Sequence, residues 1–351
     1  MAVHVALDAM GSDRGLGEMV SGAILALQES DSIEITILGD KDQVLAALSR
    51  HPKFENIHII PTTQVITMGD SPFEAIRRKK DSSIVVAFEK LKQGKFDAVV
   101  SPGNSGAVLA AGLKYLGRLK GISRPGIAGL YPTMKGPVVM MDVGANVDCR
   151  PQHLYHFGIM ASAFFSVMFD KALPRVGLLS IGEEGGKGNS LVRKTHQLLQ
   201  NSSLHFIGNV EGRDTFQGDV DVIVCDGFVG NVCLKLSEGL AEAIFSMLKD
   251  EISKTFKAKM GYLLARDAFA QFRKRVDYAE YGGAPLLGLN GTGIICHGRS
   301  NALAIKNGLL VAAELIRKNV NFHIRQLLEG RPQTGDGSKE GRSLSQAGEI
   351  A

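Results

Sequence analysis

The sequence predicts an α/β protein: a mainly parallel sheet with helices on both faces. Three observations carry that expectation. Short runs rich in Val, Ile and Leu alternate with longer amphipathic stretches. The short runs lack a polar–apolar alternation, as strands buried on both faces do. The turns leaving those runs combine Gly with Asp, Asn or Ser, which suits strand exits that face a ligand.

Strands are expected, in chain order, at Val3–Leu7, Ile33–Leu38, Asn56–Ile60, Asp97–Val100, Ile127–Leu130, Val138–Asp142, Arg175–Ser180, Leu204–Ile207, Asp221–Cys225 and Gly293–Cys296. Each is a short apolar run, mostly β-branched. Helices are expected between them at Gly17–Glu29, Lys41–Ser49, Pro72–Gln93, Ser105–Lys120, Pro151–Asp170, Gly188–Asn201, Gly230–Lys274 and Asn301–Lys318. Residues 1–330 read as one large α/β domain, from which 236–280 projects as an amphipathic helical segment. Residues 331–351 carry no apolar period, are rich in Gly, Ser and charge, and read as a disordered tail.

Composition narrows the function. Glycine makes up 41 of 351 residues, about 12% against a usual ~7%. It follows no three-residue period, so collagen is excluded, and 44% hydrophobic content excludes a disordered chain. The formal charge of +4 is too small for a dedicated nucleic-acid binder, and with Trp absent and 6% aromatics a base-stacking platform is not expected either. The four cysteines, Cys149, Cys225, Cys233 and Cys296, show no CxxC spacing and suit a reducing compartment. The longest uncharged apolar run, Phe157 to Phe169, is shorter than the ~20 residues a bilayer requires. Asp8 and Asp13 fall where a signal peptide would be apolar, so a cytoplasmic location is expected.

Six strand exits stand out: DAMGSD (8–13), SPGNSG (101–106), DVGANVDCRP (142–151), SIGEEGGKGN (180–189), GNVEGRD (208–214) and CDGFVGN (225–231). Any one of them is equally a turn or a cap. Six together suggest backbone exposed to a multiply charged oxyanion on one side of the sheet. Familiar motifs fail here. Gly15-Leu-Gly17 is followed by Val20 where a dinucleotide fingerprint has its third glycine. Around Lys187, GEEGGKGN lacks the glycine and the Ser/Thr of a P-loop. Ser105 directly precedes Gly106, so GNSGA is not a nucleophile elbow. His153 and His156 beside Cys149 lack the spacing of a zinc site, and no metal or cofactor is expected. Cys225 reads as a small buried residue rather than a nucleophile.

The blocks DAMGSD, KKDSS, SPGNSGAVLAAG, DVGANVDCRPQHL, PRVGLLSIGEEGGKGN, FIGNVEGRD, VCDGFVGNVCLK, YGGAPLLGLNG and HGRSNALAIKN, in this order over about residues 1–320, resemble the bacterial phosphate acyltransferases. That resemblance implies a three-layer α/β/α Rossmann-like sandwich related to phosphotransacetylases and isopropylmalate dehydrogenases, with a projecting helical hairpin. It also implies a homodimer. The implied reaction converts an acyl-acyl carrier protein and inorganic phosphate to acyl phosphate and free carrier protein, feeding glycerol-3-phosphate acylation in phospholipid synthesis. Ser12, Leu16, Pro102, Ser105 and Gly185 depart from the family's usual residues. A nicotinamide dehydrogenase on a related fold and a non-catalytic, membrane-docked carrier-binding module remain the other readings.

In that reaction phosphate attacks the thioester and a thiolate leaves, so no Ser or Cys nucleophile is required. The site must hold phosphate and stabilise an oxyanion, for which one donor is worth about 3–4 kcal/mol. Lys187, in its glycine-rich turn, and Asn231, near a helix start, are the expected catalytic pair. Their other readings are a solvated lysine and a helix cap. Asn104, Ser105, Asn146, Gly186 and Gly188 are expected around phosphate or substrate. Asp8, Asp13, Asp142 and Asp226 would repel phosphate and are expected to orient other groups. Arg77, Arg78, Lys79 and Lys80 form a basic run that suits an acidic carrier protein, or a solvated helix face. Met260, Leu263, Leu264 and Phe269, among basic residues, suit an anionic membrane surface or a dimer contact, and the family is associated peripherally with membranes.

Overall fold

The computed structural model describes residues 2–276 and 282–330. The expected tail, 331–351, and the end of the projecting segment, 277–280, lie outside the described residues. The chain opens β1 (Val3–Asp8), α1 (Leu16–Glu29), β2 (Ile33–Gly39), α2 (Lys41–Leu48), β3 (Ile57–Pro61), α3 (Pro72–Arg78), α4 (Ser83–Lys92), β4 (Ala98–Ser101) and α5 (Ser105–Tyr115). It continues β5 (Gly126–Pro132), β6 (Pro137–Met141), α6 (Pro151–Met168), β7 (Val176–Leu179), α7 (Ser190–Gln200), β8 (Phe206–Val210) and β9 (Val222–Val224). Then follow α8 (Gly227–Ser253), α9 (Phe256–Leu264), α10 (Arg266–Val276), β10 (Ala284–Leu287), β11 (Thr292–Ile295), α11 (Ala302–Arg317) and α12 (Val320–Leu328).

The strands form one eleven-stranded sheet in the order β3-β2-β1-β4-β11-β10-β5-β6-β9-β7-β8. Successive side chains of β1 go to opposite faces, as the pleat requires. Val3, Val5 and Leu7 join the core under α1, α6 and α11, whereas Ala6 joins the core under α3, α4 and α5. This gives the three-layer α/β/α arrangement.

Strand direction corrects one expectation. β3, β2, β1, β4 and β11 are mutually parallel. β10 is antiparallel to both β11 and β5, and β5 is antiparallel to β6. β6, β9, β7 and β8 are again parallel to one another. The two parallel blocks therefore run in opposite directions. The glycine-rich exits leave their strands in opposite directions and form two clusters, which adjoin across the middle of the sheet, where the Lys235 side chain of α8 reaches His297 beyond β11.

Other differences have local causes. β10 escaped the sequence reading because its four residues divide their pairing: Ala284 and Pro285 meet β11, and Leu286 and Leu287 meet β5. The expected helix Pro72–Gln93 breaks because Asp81 accepts from the backbone N–H and hydroxyl of Thr63, and Ser82 Oγ donates to Lys79 O. The expected helix Gly230–Lys274 becomes three helices, with Thr255 capping a new start through Ala258 N. α12 follows a turn at Asn319, whose φ of 48° asparagine tolerates better than most residues.

Candidate active site

The first cluster lies beyond β1, β4 and β11. Asp8 is fully buried and accepts from Ser101 Oγ at 2.6 Å and Met10 N at 3.1 Å. Burial raises its carboxyl pKa, and the hydroxyl and N–H donors only partly offset this. Ser101 Oγ in turn accepts from Gly103 N at 3.1 Å. Asp13 N donates to Gly298 O at 2.8 Å, which ties in the turn after β11. Asp8 thus ties the exits of β1 and β4 together, while the Asp13 side chain is exposed.

Asn104 is not positioned as a phosphate donor. Its amide nitrogen donates to the carbonyls of Thr67, Met68 and Asp70 at 3.2, 3.2 and 3.1 Å. Its Oδ1 caps α5 by accepting from Ala107 N at 3.0 Å. A buried amide must satisfy its donors, and here the 67–70 loop satisfies them. Ser105 is exposed at the start of α5, and its hydroxyl has no partner among the described residues.

The second cluster lies beyond β6, β7, β8 and β9. Buried Asp142 accepts from Ile127 N, Gly144 N, Ala145 N and Asn146 N, the last at 2.7 Å. The Asn146 amide is also committed, to Pro125 O at 2.8 Å and Asp142 Oδ2 at 2.9 Å. Asn146 is therefore an anchor of the turn and not a free donor. Asp226 caps α8 by accepting from Val229 N at 2.9 Å. That leaves Asn231 in the second helical turn, so the capping reading falls away. Its exposed amide has no hydrogen-bond partner among the described residues and faces Gly144, where an added Cβ would lie 3.6 Å from Asn231 Oδ1.

The turn carrying Lys187 is held from beneath. Asn209 Nδ2 donates to Glu184 O at 2.8 Å, and His196 Nδ1 lies 3.0 Å from Asn209 Oδ1. Lys187 N donates to Glu184 O at 2.9 Å, and Arg193 donates to Gly188 O at 2.7 Å. Gly188 takes a φ of 96° to turn into α7. Gly186 is exposed, and nothing would lie within 4 Å of a Cβ added there. Lys187 is exposed, and its ammonium has no partner among the described residues. β7 and β9 are hydrogen-bonded neighbours, so the Lys187 turn and the start of α8 leave adjacent strands.

α8 then spans toward the first cluster. Lys235 Nζ lies 2.8 Å from Glu238 Oε2 and 3.1 Å from Nε2 of His297, just beyond β11. The exposed guanidinium of Arg299, in the same turn, has no partner among the described residues. Sequence reasoning assigned no role to Lys235, His297 or Arg299, although basic residues at a strand exit were a usable signal in HGRS.

Burial disfavours the thiolate form at all four cysteines. Burial pushes the thiols of Cys149 and Cys296 up to about 12, and that of Cys225 well above its usual value. A thiol that stays protonated is a poor nucleophile.

The basic run divides. Lys79 Nζ is committed to Asp70 at 2.6 Å and to Val65 O at 2.8 Å, and Arg78 pairs with Glu74 at 2.7 Å. Exposed Arg77 and Lys80 have no acidic partner among the described residues, and Lys80 crowds Lys114 of α5 closely enough to depress the Lys114 pKa. On the projecting segment, Met260, Leu263 and Leu264 are exposed, whereas Phe269 packs its ring against Tyr262 at 5.1 Å. Among the described residues no helix is long and apolar enough to cross a membrane.

The family model for fatty acid synthesis proteins matches residues 3–323. A phosphate acyltransferase of Geotalea daltonii is 52% identical over 328 residues, covering 93% of this chain and 94% of the relative. That of Syntrophotalea carbinolica is 53% identical over 336 residues, covering 95% and 96%. Among solved structures, the EutD phosphotransacetylase from Staphylococcus aureus superposes with a TM-score of 0.59 at 17% identity, over 90% of this chain and 94% of that one. A phosphotransacetylase from Streptococcus pyogenes gives 0.59 at 18% identity, with the same coverage. These structural likenesses show the fold, and the close relatives show more: the chain belongs to the phosphate acyltransferase family and is an enzyme of the acyltransferase class.

Proposed function

We propose that this enzyme transfers the acyl group of an acyl-acyl carrier protein to inorganic phosphate. A phosphate oxygen attacks the thioester carbonyl carbon, and a C–O bond forms. The carbonyl oxygen becomes an oxyanion. Its collapse breaks the C–S bond and releases the carrier's thiolate, which takes a proton from solvent. Phosphate is anionic near neutral pH, so the protein's task is electrostatic and positional.

One observation carries this reading. Lys187 and Asn231 leave adjacent strands with an ammonium and an amide that no described residue occupies. Around them the buried polar groups are committed to protein partners, as Asn146 and Asp142 are. Lys187 suits a phosphate or oxyanion charge, Asn231 suits a neutral donor to the carbonyl oxygen, and Ser105, Gly186 and Gly188 border the phosphate. The testing experiment is phosphate-dependent release of free thiol from acyl-acyl carrier protein. Release that is independent of phosphate, or absent, overturns the reading.

Arg77 and Lys80 offer positive charge to an acidic carrier protein. On α8, Phe228, Val232, Leu236, Leu240, Ile244 and Met247 are exposed at spacings that keep them on one face. A second copy of the chain suits that stripe, which runs along a helix about 40 Å long. The tip of Met260, Leu263 and Leu264 suits an anionic membrane surface on the cytoplasmic side. There an acyl phosphate with its hydrophobic chain would pass to a membrane glycerol-3-phosphate acyltransferase.

A further inference from the structure

His297 stands where the two clusters meet. Its Nδ1 lies 3.1 Å from Arg299 N, and its Nε2 lies 3.1 Å from Lys235 Nζ. Lys235 is four residues past Asn231, on the same side of α8. The turn that carries His297 is bonded to the exit of β1: Asp13 N donates to Gly298 O at 2.8 Å and Ser12 Oγ donates to it at 3.3 Å. The Lys235–His297 contact therefore joins the helix of one cluster to the turns of the other.

Both ring nitrogens of His297 face donors. A neutral imidazole accepts at only one nitrogen, so the contact with Lys235 is a hydrogen bond in the tautomer that carries its proton on Nδ1, and an imidazolium accepts at neither nitrogen. Gaining a proton would set the ring against the Lys235 ammonium and the Arg299 N–H together. Among the described residues, the charged groups around the ring are Lys235 and Glu238 of α8, Asp13 from the turn after β1, and Arg299 of its own turn. Burial first, and then Lys235, hold its pKa below the ordinary histidine value, against the opposite pull of Glu238 and Asp13.

We infer that His297 and Lys235 are positioning residues: their contact holds α8, and Asn231 with it, against the turns after β1 and β11, and it opens when His297 takes up a proton. The open form binds that proton more tightly than the closed form. The contact is thus fully present above the ordinary histidine range, near pH ~6.5, and weakens as pH falls through it. The catalytic consequence rests on the proposed role of Asn231; the contact itself does not.

Hydrogen exchange of the full chain at about pH 7.5 and about pH 5.5, corrected for intrinsic rates, tests this. Protection of residues 227–240 should fall about fivefold on acidification in the unmodified chain, the loss of roughly one hydrogen bond. His297→Gln, which cannot titrate, should lose this acid response. Lys235→Met should lower protection at both pH values. In steady-state kinetics Lys235→Met should lower kcat about tenfold with little change in KM, as a misplaced transition-state donor does. An unmodified chain with no acid response, or an equal response in His297→Gln, overturns the inference. A chain with the expected exchange pattern and no acyl-phosphate formation supports the contact and overturns the proposed reaction instead.

Discussion

Gly230 lies directly against the backbone carbonyl of Asp142. A Cβ at position 230 would overlap that oxygen, so the first turn of α8 packs on the turn after β6 without a side chain between them. The same Asp142 gathers the N–H groups of residues 144–146 with its carboxylate. One residue thereby sets both the glycine turn and the position of the helix that carries Asn231. Gly230→Ala should lower stability by about 3 kcal/mol, because neither backbone can yield cheaply. A thermal melt checks this, with Tm expected to drop by about 5 °C or more.

Lys187→Ala and Asn231→Ala should behave oppositely. Both side chains are exposed and without polar partners among the described residues. Unfolding free energy should change by no more than about 0.5 kcal/mol. Acyl-phosphate formation should fall by about 100-fold or more in each, the cost of losing a transition-state donor. Near-normal kcat/KM in both variants would remove them from the reaction.

Charge reversal should separate the members of the basic run. Arg77→Glu with Lys80→Glu should raise KM for the acidic carrier substrate about tenfold, with kcat unchanged and an effect that shrinks in high salt. Lys79→Glu should instead loosen the 65–70 segment, because it breaks the bonds to Asp70 and Val65 O. Limited proteolysis within that segment would report the difference.

Leu263→Glu with Leu264→Glu should abolish flotation with vesicles containing anionic lipid, and should leave phosphate-dependent thiol release in solution intact. These residues have no part in the core: α9 buries none of its side chains. Unchanged flotation would argue against membrane docking at this tip.

The acid stability of the sheet should depend on Asp221. Burial raises its carboxyl pKa, but bonds from Arg175 and Lys171 outweigh burial and leave it below the usual aspartate value. A lowered folded value stabilises the protein above the ordinary aspartate range, near ~4, and that stability is lost as pH falls through the folded value. Asp221→Asn should cost about 3 kcal/mol at neutral pH. Denaturant melts as a function of pH should show the gap between the two proteins closing below about pH 4.

The sequence by itself determined the layers and most of the strands, because an apolar run buried on both faces, such as Val3–Leu7, is written in consecutive residues. It also determined the family and the glycine-rich turns, since φ-permissive residues are local signals. Tertiary structure alone decided which way each block of strands runs: β10 pairs antiparallel with both β11 and β5, which leaves those two parallel, and the antiparallel β5–β6 pair then reverses the second block. It alone decided that Asn104 and Asn146 are anchors, while Lys187 and Asn231 have no side-chain partner among the described residues. An amide's chemistry is the same in every turn. Whether it serves the fold or a ligand depends on which carbonyls the folded chain brings within about 3 Å of it.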